Sequence, residues 1–517
     1  MEGVAFTSGA STIPLHCCGV AVFVSLLFLL RRRSNSPGNG KARLPPGPPA
    51  LVFLAKFVAL RRSIFDLAPL LRDLHARHGP VVTIRLFSTL VFVADRHIAH
   101  RVLVRDGATF ADRPPLVDPD PLFSAGDINT ATYGPYWRLV RRNLAADAMH
   151  RACVGLFAPA RRWACDALVA GLLRAAQGQG DGSSQETELV TVRPFLRRAM
   201  FELLVFMCFG VRLGQGALDE IEALEHHVLA SFTAFPVFAF FPPLTKWLFR
   251  KRWAAHVAVR RRLDEVFVPL IHAAPDGDHP PCYAESLHAL RVADEGDRVL
   301  TDAEMVSLCS EFLNAGTDTT VTLVEWIMAE LVNNPDFQAK VYEEVTGKLD
   351  LDDADNIQAF PYLKAVVLEG LRLHPPGHFL IPHAVSSDAE IGGYAVPSGT
   401  EVNFMVAEMG RDEAVWTAAR EFRPERFLDG GEGCGVDITG SREIKMMPFG
   451  AGRRMCPGYV LGTRHAEYFV ARMVSGLEWL PAADGAAVDM AEIMDFTTVM
   501  KHPLRARIVP RNRSFLS

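Results

Sequence analysis

Residues 449–458 read FGAGRRMCPG, which is the sharpest feature of the sequence. Glycines on both sides of Cys456 let the backbone turn tightly and approach a flat ligand closely. Peptide N–H groups and the charge of Arg454 can stabilise the cysteine as a thiolate, the form that binds a metal ion. A lone cysteine is more often a small buried apolar side chain. Because the other fixed positions of the pattern F-x-x-G-x-R-x-C-x-G are also present, we favour a metal-binding thiolate at Cys456.

This loop resembles the haem-binding loop of the cytochrome P-450 superfamily. The resemblance implies a mainly α fold with a small β part, the cytochrome P-450 fold, built around haem b (iron protoporphyrin IX). It implies that Cys456 is the proximal iron ligand and that Phe449 and Gly458 belong to the cofactor-binding loop. A thiolate on haem iron pushes electron density onto the metal and favours cleavage of a bound O–O bond, as cytochromes of this kind illustrate.

A second family motif is E-x-x-R, present here as Glu369 and Arg372 on one face of the helix that ends at His374. Taken alone, such a pair is most often a solvated surface contact worth less than about 1 kcal/mol. In the family the pair is buried and is joined by an arginine from a later P-E-R-F, here residues 424–427. The resemblance therefore implies a structural cluster of Glu369, Arg372 and Arg426.

Haem propionates need hydrogen-bond donors, and the W-x-x-x-R motif places two donors one turn apart on a helix. By itself the motif equally fits a buried tryptophan beside a surface arginine. In the family these two residues hold the propionates together with the arginine of the cysteine loop and a histidine or arginine after the E-x-x-R helix. The resemblance implies that the propionates are bound by Trp137, Arg141, His383 and Arg454.

Residues 315–320 read AGTDTT inside a long predicted helix, where glycine and consecutive polar residues are poor choices for a buried interior. A kinked helix whose threonines bond back to its own backbone is the plain explanation. In the family this motif crosses over the haem, where the small Ala–Gly pair leaves room for O₂ and the acid–alcohol pair relays protons. The resemblance implies that Asp318 and Thr319 form this catalytic relay.

The composition is that of a globular protein with a large core. The chain has 517 residues, of which 49% are hydrophobic and 22% charged. Its 54 basic and 59 acidic residues give a formal net charge of −5, which argues against nucleic acid as a partner. The cysteines show no CxxC pairing and no framework spacing, which favours free thiols in a reducing compartment.

The amino terminus predicts a retained membrane anchor. Residues 13–30 carry no formal charge and would form a helix of roughly 27 Å, close to the thickness of a bilayer core. A cleaved signal peptide carries its positive charge before the apolar run, whereas here Glu2 precedes the run and arginines 31–33 follow it. The positive-inside rule then places the arginines in the cytosol.

We therefore expect a single-pass protein of the endoplasmic reticulum membrane, with its catalytic domain on the cytosolic side. The expected regions are a lumenal tail (1–12), a transmembrane signal anchor (13–30), a basic, proline-rich hinge (31–50) and a haem-thiolate catalytic domain (51–517).

Periodicity indicates mostly helices after the hinge. Apolar spacing predicts them at 136–148, 154–176, 194–209, 218–232, 247–272, 302–333 and 362–374. Residues 81–86 and 90–93 predict a short hairpin of a small sheet. The apolar segment Phe235–Leu244 is bracketed by prolines. Such a segment is more often core, and its second interpretation is a loop that dips into the bilayer face.

Taken with the family resemblance, these features predict a membrane-anchored monooxygenase that uses O₂ to oxygenate a hydrophobic small molecule. The chain contains no G-x-G-x-x-G fingerprint and has no room for a flavin domain, so the electrons must come from another protein. The resemblance implies an NADPH-dependent flavoprotein reductase. Arg138, Arg142 and Arg453 are candidates to dock its acidic surface, although exposed arginines are usually just solvated.

By family position, substrate contacts should come from 114–129, 313–317, 377–381 and 496–498. Most of these side chains are apolar or small, which agrees with a hydrophobic substrate. The motifs look most like those of plant microsomal A-type members, family eighty-nine among them. Ala419 stands where the plant form often has proline, which puts the rigidity of that loop in doubt more than activity.

Two other functions remain open. A haem-thiolate isomerase or dehydratase rearranges hydroperoxides without a reductase, but such relatives typically lose the acid–threonine pair that is intact here. A haem-binding sensor or membrane scaffold is the non-enzymatic alternative.

Overall fold

A computed structural model describes residues 44–50, 52–53, 67–85, 88–177, 189–234, 236–239, 241–273, 279–346, 359–483 and 485–511. The predicted lumenal tail and anchor, and most of the hinge, lie outside these stretches. None of the helices within them is both long and apolar enough to cross a membrane.

Helices dominate the described chain, as the sequence predicts. They are α1 (Ala68–His78), α2 (Arg96–His100), α3 (Pro135–Asn143), α4 (Arg151–Leu156), α5 (Ala158–Gln177), α6 (Arg193–Phe209), α7 (Gln215–Thr233), α8 (Pro242–Leu248), α9 (Arg250–His272), α10 (Tyr283–His288), α11 (Asp302–Asn333), α12 (Pro335–Val345), α13 (Pro361–Leu373), α14 (Val406–Gly410) and α15 (Tyr459–Gly476).

The β part is small and is divided among several sheets. The strands are β1 (Val81–Arg85), β2 (Thr89–Val93), β3 (Leu189–Thr191), β4 (Arg291–Val292), β5 (Arg298–Val299), β6 (His383–Ala384), β7 (Ala389–Ile391), β8 (Tyr394–Val396), β9 (Glu401–Phe404), β10 (Leu477–Leu480), β11 (Glu492–Met494), β12 (Thr498–Met500) and β13 (Arg505–Pro510). The predicted hairpin is confirmed as β1–β2. It belongs to a four-stranded sheet of order β1-β2-β9-β6, in which β9 runs parallel to β2.

The long helix α11 organises the molecule, and its predicted bounds are confirmed. A capping box fixes its start: the Thr301 hydroxyl accepts the N–H of Glu304, and the Glu304 carboxylate accepts the N–H of Thr301. Most of the helix is buried because α6, α9 and α15 pack against it. Ala315 is nevertheless exposed in its middle, and Thr319, one turn later, is partly exposed. These residues mark an exposed face in the middle of α11, which we call its open face.

Two hydrophobic cores set the position of the cysteine loop. The larger lies among the helices and includes Trp326 of α11 and Phe469 of α15. The smaller lies under the four-stranded sheet, where Val91 and Val402 pack together with Ala451 of the cysteine loop. The loop is therefore fixed on one side by the sheet and on the other by α15.

Three helix boundaries differ from the sequence predictions. The predicted helix 154–176 breaks at Phe157, so that α4 and α5 are separate. The predicted helix 136–148 is α3 only to Asn143 and continues as a wider π-helical turn over Leu144–Ala148. Trp247 belongs to the separate short helix α8 and not to α9.

Candidate active site

The cysteine loop is shaped by glycines at positive φ. Gly450 and Gly452 have φ values of +70° and +72°, a region that other residues rarely adopt. A Cβ at Gly452 would lie 1.9 Å from the carbonyl oxygen of Leu103, so only glycine fits there. The N–H of Cys456 donates to the carbonyl oxygen of Phe449 at 2.8 Å. This bond closes the loop and places the cysteine just before α15.

Cys456 itself is a half-buried free thiol. Burial raises the pKa of this thiol, whereas the N–H of Gly458 and the guanidinium of Arg141 lower it. Burial is the larger effect and leaves the pKa of the free thiol raised, while the other two groups favour the anionic form that binds a metal.

A metal bound at this sulfur would have to bring its other ligands. Across the described stretches, no group of three or more His, Cys, Asp or Glu side chains is placed to hold a metal ion. A Cβ on Gly458 would lie 3.9 Å from the Cys456 sulfur, so the loop closes around the thiol on that side. Haem iron arrives with four porphyrin nitrogens, and this donor set therefore fits haem.

Arg454 is held beside Trp137 at the edge of the cysteine loop. Its guanidinium donates to the carbonyl oxygens of Ala111 at 2.7 Å, Ile128 at 2.9 Å and Ala131 at 2.6 Å. It also lies 4.4 Å from the centroid of the Trp137 ring. The indole Nε1 donates to the same Ile128 carbonyl at 3.1 Å. Both predicted propionate partners are thus oriented by one loop.

Arg141 and His383 complete the predicted set of propionate partners. Arg141 donates to the carbonyl oxygen of Met455, next to the cysteine. The buried His383 ring bonds through Nδ1 to the carbonyl oxygen of Phe110 at 2.6 Å, so Nδ1 carries a proton. Burial and the charges of Arg113 and Arg454 lower the pKa of His383 to about 3.

A neutral ring that donates through Nδ1 offers only a lone pair at Nε2. His383 can therefore donate to a propionate only in its protonated form, which a negative charge nearby would favour.

Arg113 lies beside the predicted propionate-binding residues, although none of the sequence motifs contains it. It is 8% exposed and donates to the carbonyl oxygens of Asn129 at 2.6 Å, Ile381 at 3.0 Å and Pro382 at 2.9 Å. Burial and the nearby Arg454 lower the pKa of Arg113 to about 9. Its sequence context, an arginine before two prolines, gives little indication of this role.

Arg113 and Arg454 repel each other, and the carboxylates of Asp127, Glu311 and Asp112 offset part of this repulsion. The propionates of haem would be further anions suited to these guanidinium groups.

The predicted relay residues of α11 have separate partners. The Thr319 hydroxyl donates to the carbonyl oxygen of Ala315 at 2.6 Å, which is the local back-bonding considered above. One oxygen of Asp318 pairs with Arg197 of α6, which also binds Glu222 of α7 at 2.7 Å. The other Asp318 oxygen, Oδ2, is buried without a partner. Burial raises the pKa of Asp318, and Arg197 lowers it.

Gly316 serves helix packing in this structure. A Cβ there would lie 2.8 Å from a methyl group of Leu204, so the glycine lets α6 and α11 approach each other closely. Ala315 is the small residue that faces open space. Of the Ala–Gly pair expected to leave room for O₂, only Ala315 lies on the open face.

The E-x-x-R pair and the later arginine meet in one buried cluster. Both carboxylate oxygens of Glu369 accept from Arg372 at 2.7 Å, and one of them also accepts from Arg426 at 3.0 Å. The N–H of Arg423 adds a fourth bond to the same carboxylate at 2.7 Å. Arg372 further donates to the carbonyl oxygen of Ala419 at 2.6 Å. The loop that carries Ala419 is thus tied to α13 through its backbone.

Each of the four segments expected to touch substrate exposes an apolar side chain. These are Leu116 and Val117, Ala315, Ile381 and Phe496.

Known proteins are similar to this chain in fold and in sequence. The family model "Cytochrome P450" matches residues 45–508. The chain is 40% identical over 513 residues to Cytochrome P450 89A9 of Arabidopsis thaliana, covering 95% of this chain and 97% of the relative. It is 30% identical over 470 residues to Flavonoid 3'-monooxygenase of the same species, covering 89% of each. A zebra fish cytochrome P450 in a structure with progesterone superposes with a TM-score of 0.69 at 21% identity, covering 86% of this chain and 99% of that one.

These matches confirm three sequence-based expectations. They are the mainly α fold with a small β part, haem b as the cofactor, and the resemblance to plant family eighty-nine. The chain belongs to the cytochrome P450 family.

Proposed function

We propose that this protein is a membrane-anchored monooxygenase that receives electrons from an NADPH-dependent reductase and oxygenates a hydrophobic small molecule. Membership of the family makes it a haem-dependent oxidoreductase that incorporates oxygen from O₂ (EC 1.14) and needs a redox partner. The cysteine loop carries the proposal, because its single half-buried thiol lies beside an arginine-rich cluster suited to an anionic cofactor.

The proposed role of the chain is to hold and orient haem. Cys456 would bind the haem iron through its thiolate, with Phe449 and Gly458 in the loop around it. Bound haem supplies the redox chemistry, in which O₂ is activated and one oxygen atom is transferred to the substrate. The groups proposed to bind its propionates are Trp137, Arg141, His383, Arg454 and Arg113.

The proposed relay carries protons along the open face of α11. Asp318 can hold a proton at Oδ2, which has no partner, and its raised pKa favours proton uptake. The Thr319 hydroxyl donates to a carbonyl, so its oxygen lone pairs can accept a hydrogen bond from water. The side chain of Arg197 keeps Asp318 oriented while this exchange occurs.

A membrane-facing surface is supported by α8 and not by the whole segment Phe235–Leu244. Phe238 is fully buried, in agreement with the core interpretation. Leu244, Trp247 and Leu248, in contrast, are 56%, 70% and 48% exposed on one short helix. Aromatic and aliphatic side chains grouped in this way suit the bilayer interface. We propose that this helix rests on the membrane into which residues 13–30 insert.

An anchor-deleted protein tests this surface. Replacing Leu244, Trp247 and Leu248 with Ser should lower its partitioning onto lipid vesicles several-fold. The control is Val257→Ser, which removes an apolar side chain of similar exposure from α9. Equal partitioning of the two variants would contradict a membrane contact at α8.

The substrate is proposed to be a hydrophobic small molecule of plant specialised metabolism. Apolar exposed side chains in all four candidate segments support an apolar binding surface. The relative named Flavonoid 3'-monooxygenase acts on a flavonoid, a molecule of that class.

The central experiment is an absorption spectrum of the purified protein, reduced under carbon monoxide. A thiolate ligand should give a Soret maximum shifted far to the red, and Cys456→Ser should abolish that maximum. A red-shifted maximum that survives in the variant would overturn the proposal.

Reconstitution with the reductase then separates the remaining alternatives. Substrate-dependent NADPH consumption with formation of an oxygenated product supports the monooxygenase. Product without NADPH would favour a hydroperoxide isomerase or dehydratase, and neither product nor consumption would favour a sensor.

A further inference from the structure

Glu311 lies on the open face of α11, one turn before Ala315 and two turns before Thr319. Its carboxylate is bound on both oxygens by the backbone of another segment. Oε2 accepts the N–H of Ile128 at 2.8 Å, and Oε1 accepts the N–H of Asn129 at 2.7 Å. The side chain thus bridges α11 and the loop that precedes α3.

The carbonyl groups of the same loop accept hydrogen bonds from side chains that are predicted to bind the propionates. The Ile128 carbonyl accepts from Trp137 and Arg454, and the Asn129 carbonyl accepts from Arg113 at 2.6 Å. N–H groups on one side therefore point to Glu311, while carbonyl groups on the other side point to the haem-holding cations. A shift of this backbone would move these side chains together.

The electrostatic surroundings of Glu311 match this arrangement. Burial and Asp127 raise the pKa of Glu311, whereas the two backbone N–H groups and Arg141 lower it. Arg454 and Arg113 also face this carboxylate across the loop. The net result is a pKa raised to about 8, so the two hydrogen bonds to the loop, and not a negative charge, define the role of Glu311.

We propose that Glu311 is a positioning residue for the haem site: its carboxylate fixes residues 128–129 so that their carbonyl groups hold the guanidinium groups of Arg454 and Arg113 toward the propionates. This inference rests on the proposed function, since it needs these two residues to bind haem. Glu311 acts through the loop and not by touching the cofactor.

Amide and aspartate substitutions separate the loss of an acceptor from a change in side-chain length. In Glu311→Gln the amide keeps one acceptor, but its NH₂ group opposes the second backbone N–H. Glu311→Asp keeps both acceptors on a side chain one methylene shorter. Glu225→Gln is the control, because Glu225 is a buried glutamate that also bonds to α11, through Ser310 at 2.7 Å, but lies outside this loop.

The experiment uses purified, anchor-containing holoproteins and measures haem transfer to excess apomyoglobin, together with the midpoint potential. We expect haem loss to be about tenfold faster or more in Glu311→Gln, as leaving a backbone N–H of the loop without its acceptor implies. The midpoint potential should also shift in Glu311→Gln, because the loop that orients the cations of the haem site is displaced. Glu311→Asp should stay closer to the wild type in both measurements.

The control distinguishes positioning from general stability. Glu225→Gln should leave the haem-loss rate and the potential unchanged even where it lowers the melting temperature. If Glu311→Gln matched Glu225→Gln in both measurements, the proposal would be wrong. A wild-type protein without the red-shifted Soret band would instead refute the proposed function, so the two failures are distinguishable.

Discussion

At the scale of single residues, Glu369 shows how this protein buries a charge. Its carboxylate accepts four hydrogen bonds, three of them from the side chains of Arg372 and Arg426. The side chains of Glu369 and Arg372 have no exposure to solvent. A buried ion pair contributes little net stability when it is complete, but it is costly to break because a single charge is left unpaired.

We therefore expect Glu369→Gln to lower the free energy of unfolding by about 3–5 kcal/mol. Urea unfolding of the holoprotein, followed by tryptophan fluorescence and by the Soret band, measures this change. The control is Arg72→Ala, which breaks an ion pair with Glu408 that is partly exposed to water. Its effect should stay below about 1 kcal/mol. Similar effects of the two substitutions would argue against a buried charge cluster.

Thr319 provides a second prediction at this scale. If its hydroxyl passes protons on the open face of α11, Thr319→Ala should still consume NADPH in the presence of reductase and substrate. Without directed proton delivery from Thr319, the two electrons from NADPH and two protons from water should convert O₂ to hydrogen peroxide instead of oxygenating the substrate. The ratio of product to NADPH should then fall about tenfold or more, within the usual range for loss of a general acid–base group. Parallel assays of NADPH, peroxide and product check this, and Thr319→Ser should restore most of the coupling. Full coupling in Thr319→Ala would remove the residue from the relay.

At the scale of elements, the cysteine loop depends on a glycine that no other residue can replace. In Gly452→Ala the new methyl group would lie 1.9 Å from the Leu103 carbonyl oxygen, at a φ of +72°. We expect the variant to incorporate little haem. Gly430→Ala tests the effect of φ alone, since Gly430 has a φ of +81° with no atom within 4 Å of the added methyl group. It should retain haem at a cost of about 1 kcal/mol. Equal haem content in the two variants would contradict the steric argument.

The contact between α7 and α11 should make stability depend on pH. Burial raises the pKa of Glu225 from 4.5 to about 8, while Ser310 and Asn314 of α11 bind its carboxyl group. Between these two pH values the folded chain keeps a proton that the unfolded chain has released. Stability must therefore fall as the pH rises through this window.

Glu225→Gln removes this titration, so its free energy of unfolding should fall less than that of the wild type between about pH 5 and pH 8. Urea unfolding at both pH values measures the difference. A wild-type pH dependence no steeper than that of the variant would show that Glu225 does not titrate in this window.

Helices α11 and α15 show what could and could not be predicted from the sequence. The bounds of α11 could be predicted because its capping box and its apolar pattern agree. Helix α15 could not, because Arg464 and His465 are buried in it and interrupt the apolar period. The roles of Arg113 and Glu311 were equally hidden, since their partners are remote in sequence: the bond from Arg113 to Ile381 spans 268 positions. Motifs identify residues that the family shares. Contacts between residues that are remote in sequence become visible only once the fold is known.

For the molecule as a whole, the surface proposed to bind the reductase is a local group of arginines on a chain whose net charge is negative. The net charge of −5 would not attract an acidic partner. Arg138, Arg142 and Arg453 are nevertheless all exposed near the cysteine loop. Arg138 and Arg453 lie over the same Tyr133 ring, each 5.6 Å from its centroid. A compact cationic patch of this kind can dock an acidic reductase despite the overall charge.

This patch leads to a prediction about electron transfer. In the double variant Arg138→Glu and Arg142→Glu, the rate of haem reduction by the reductase should fall about tenfold or more at low salt, because charge reversal turns attraction into repulsion. The salt dependence should also change sign, since added ions screen the new repulsion. The control, Arg261→Glu with Arg291→Glu, changes the net charge equally at exposed positions on α9 and β4. Stopped-flow reduction at several ionic strengths measures both effects. If the two double variants behaved alike, the response would reflect net charge, and the reductase would have to dock elsewhere.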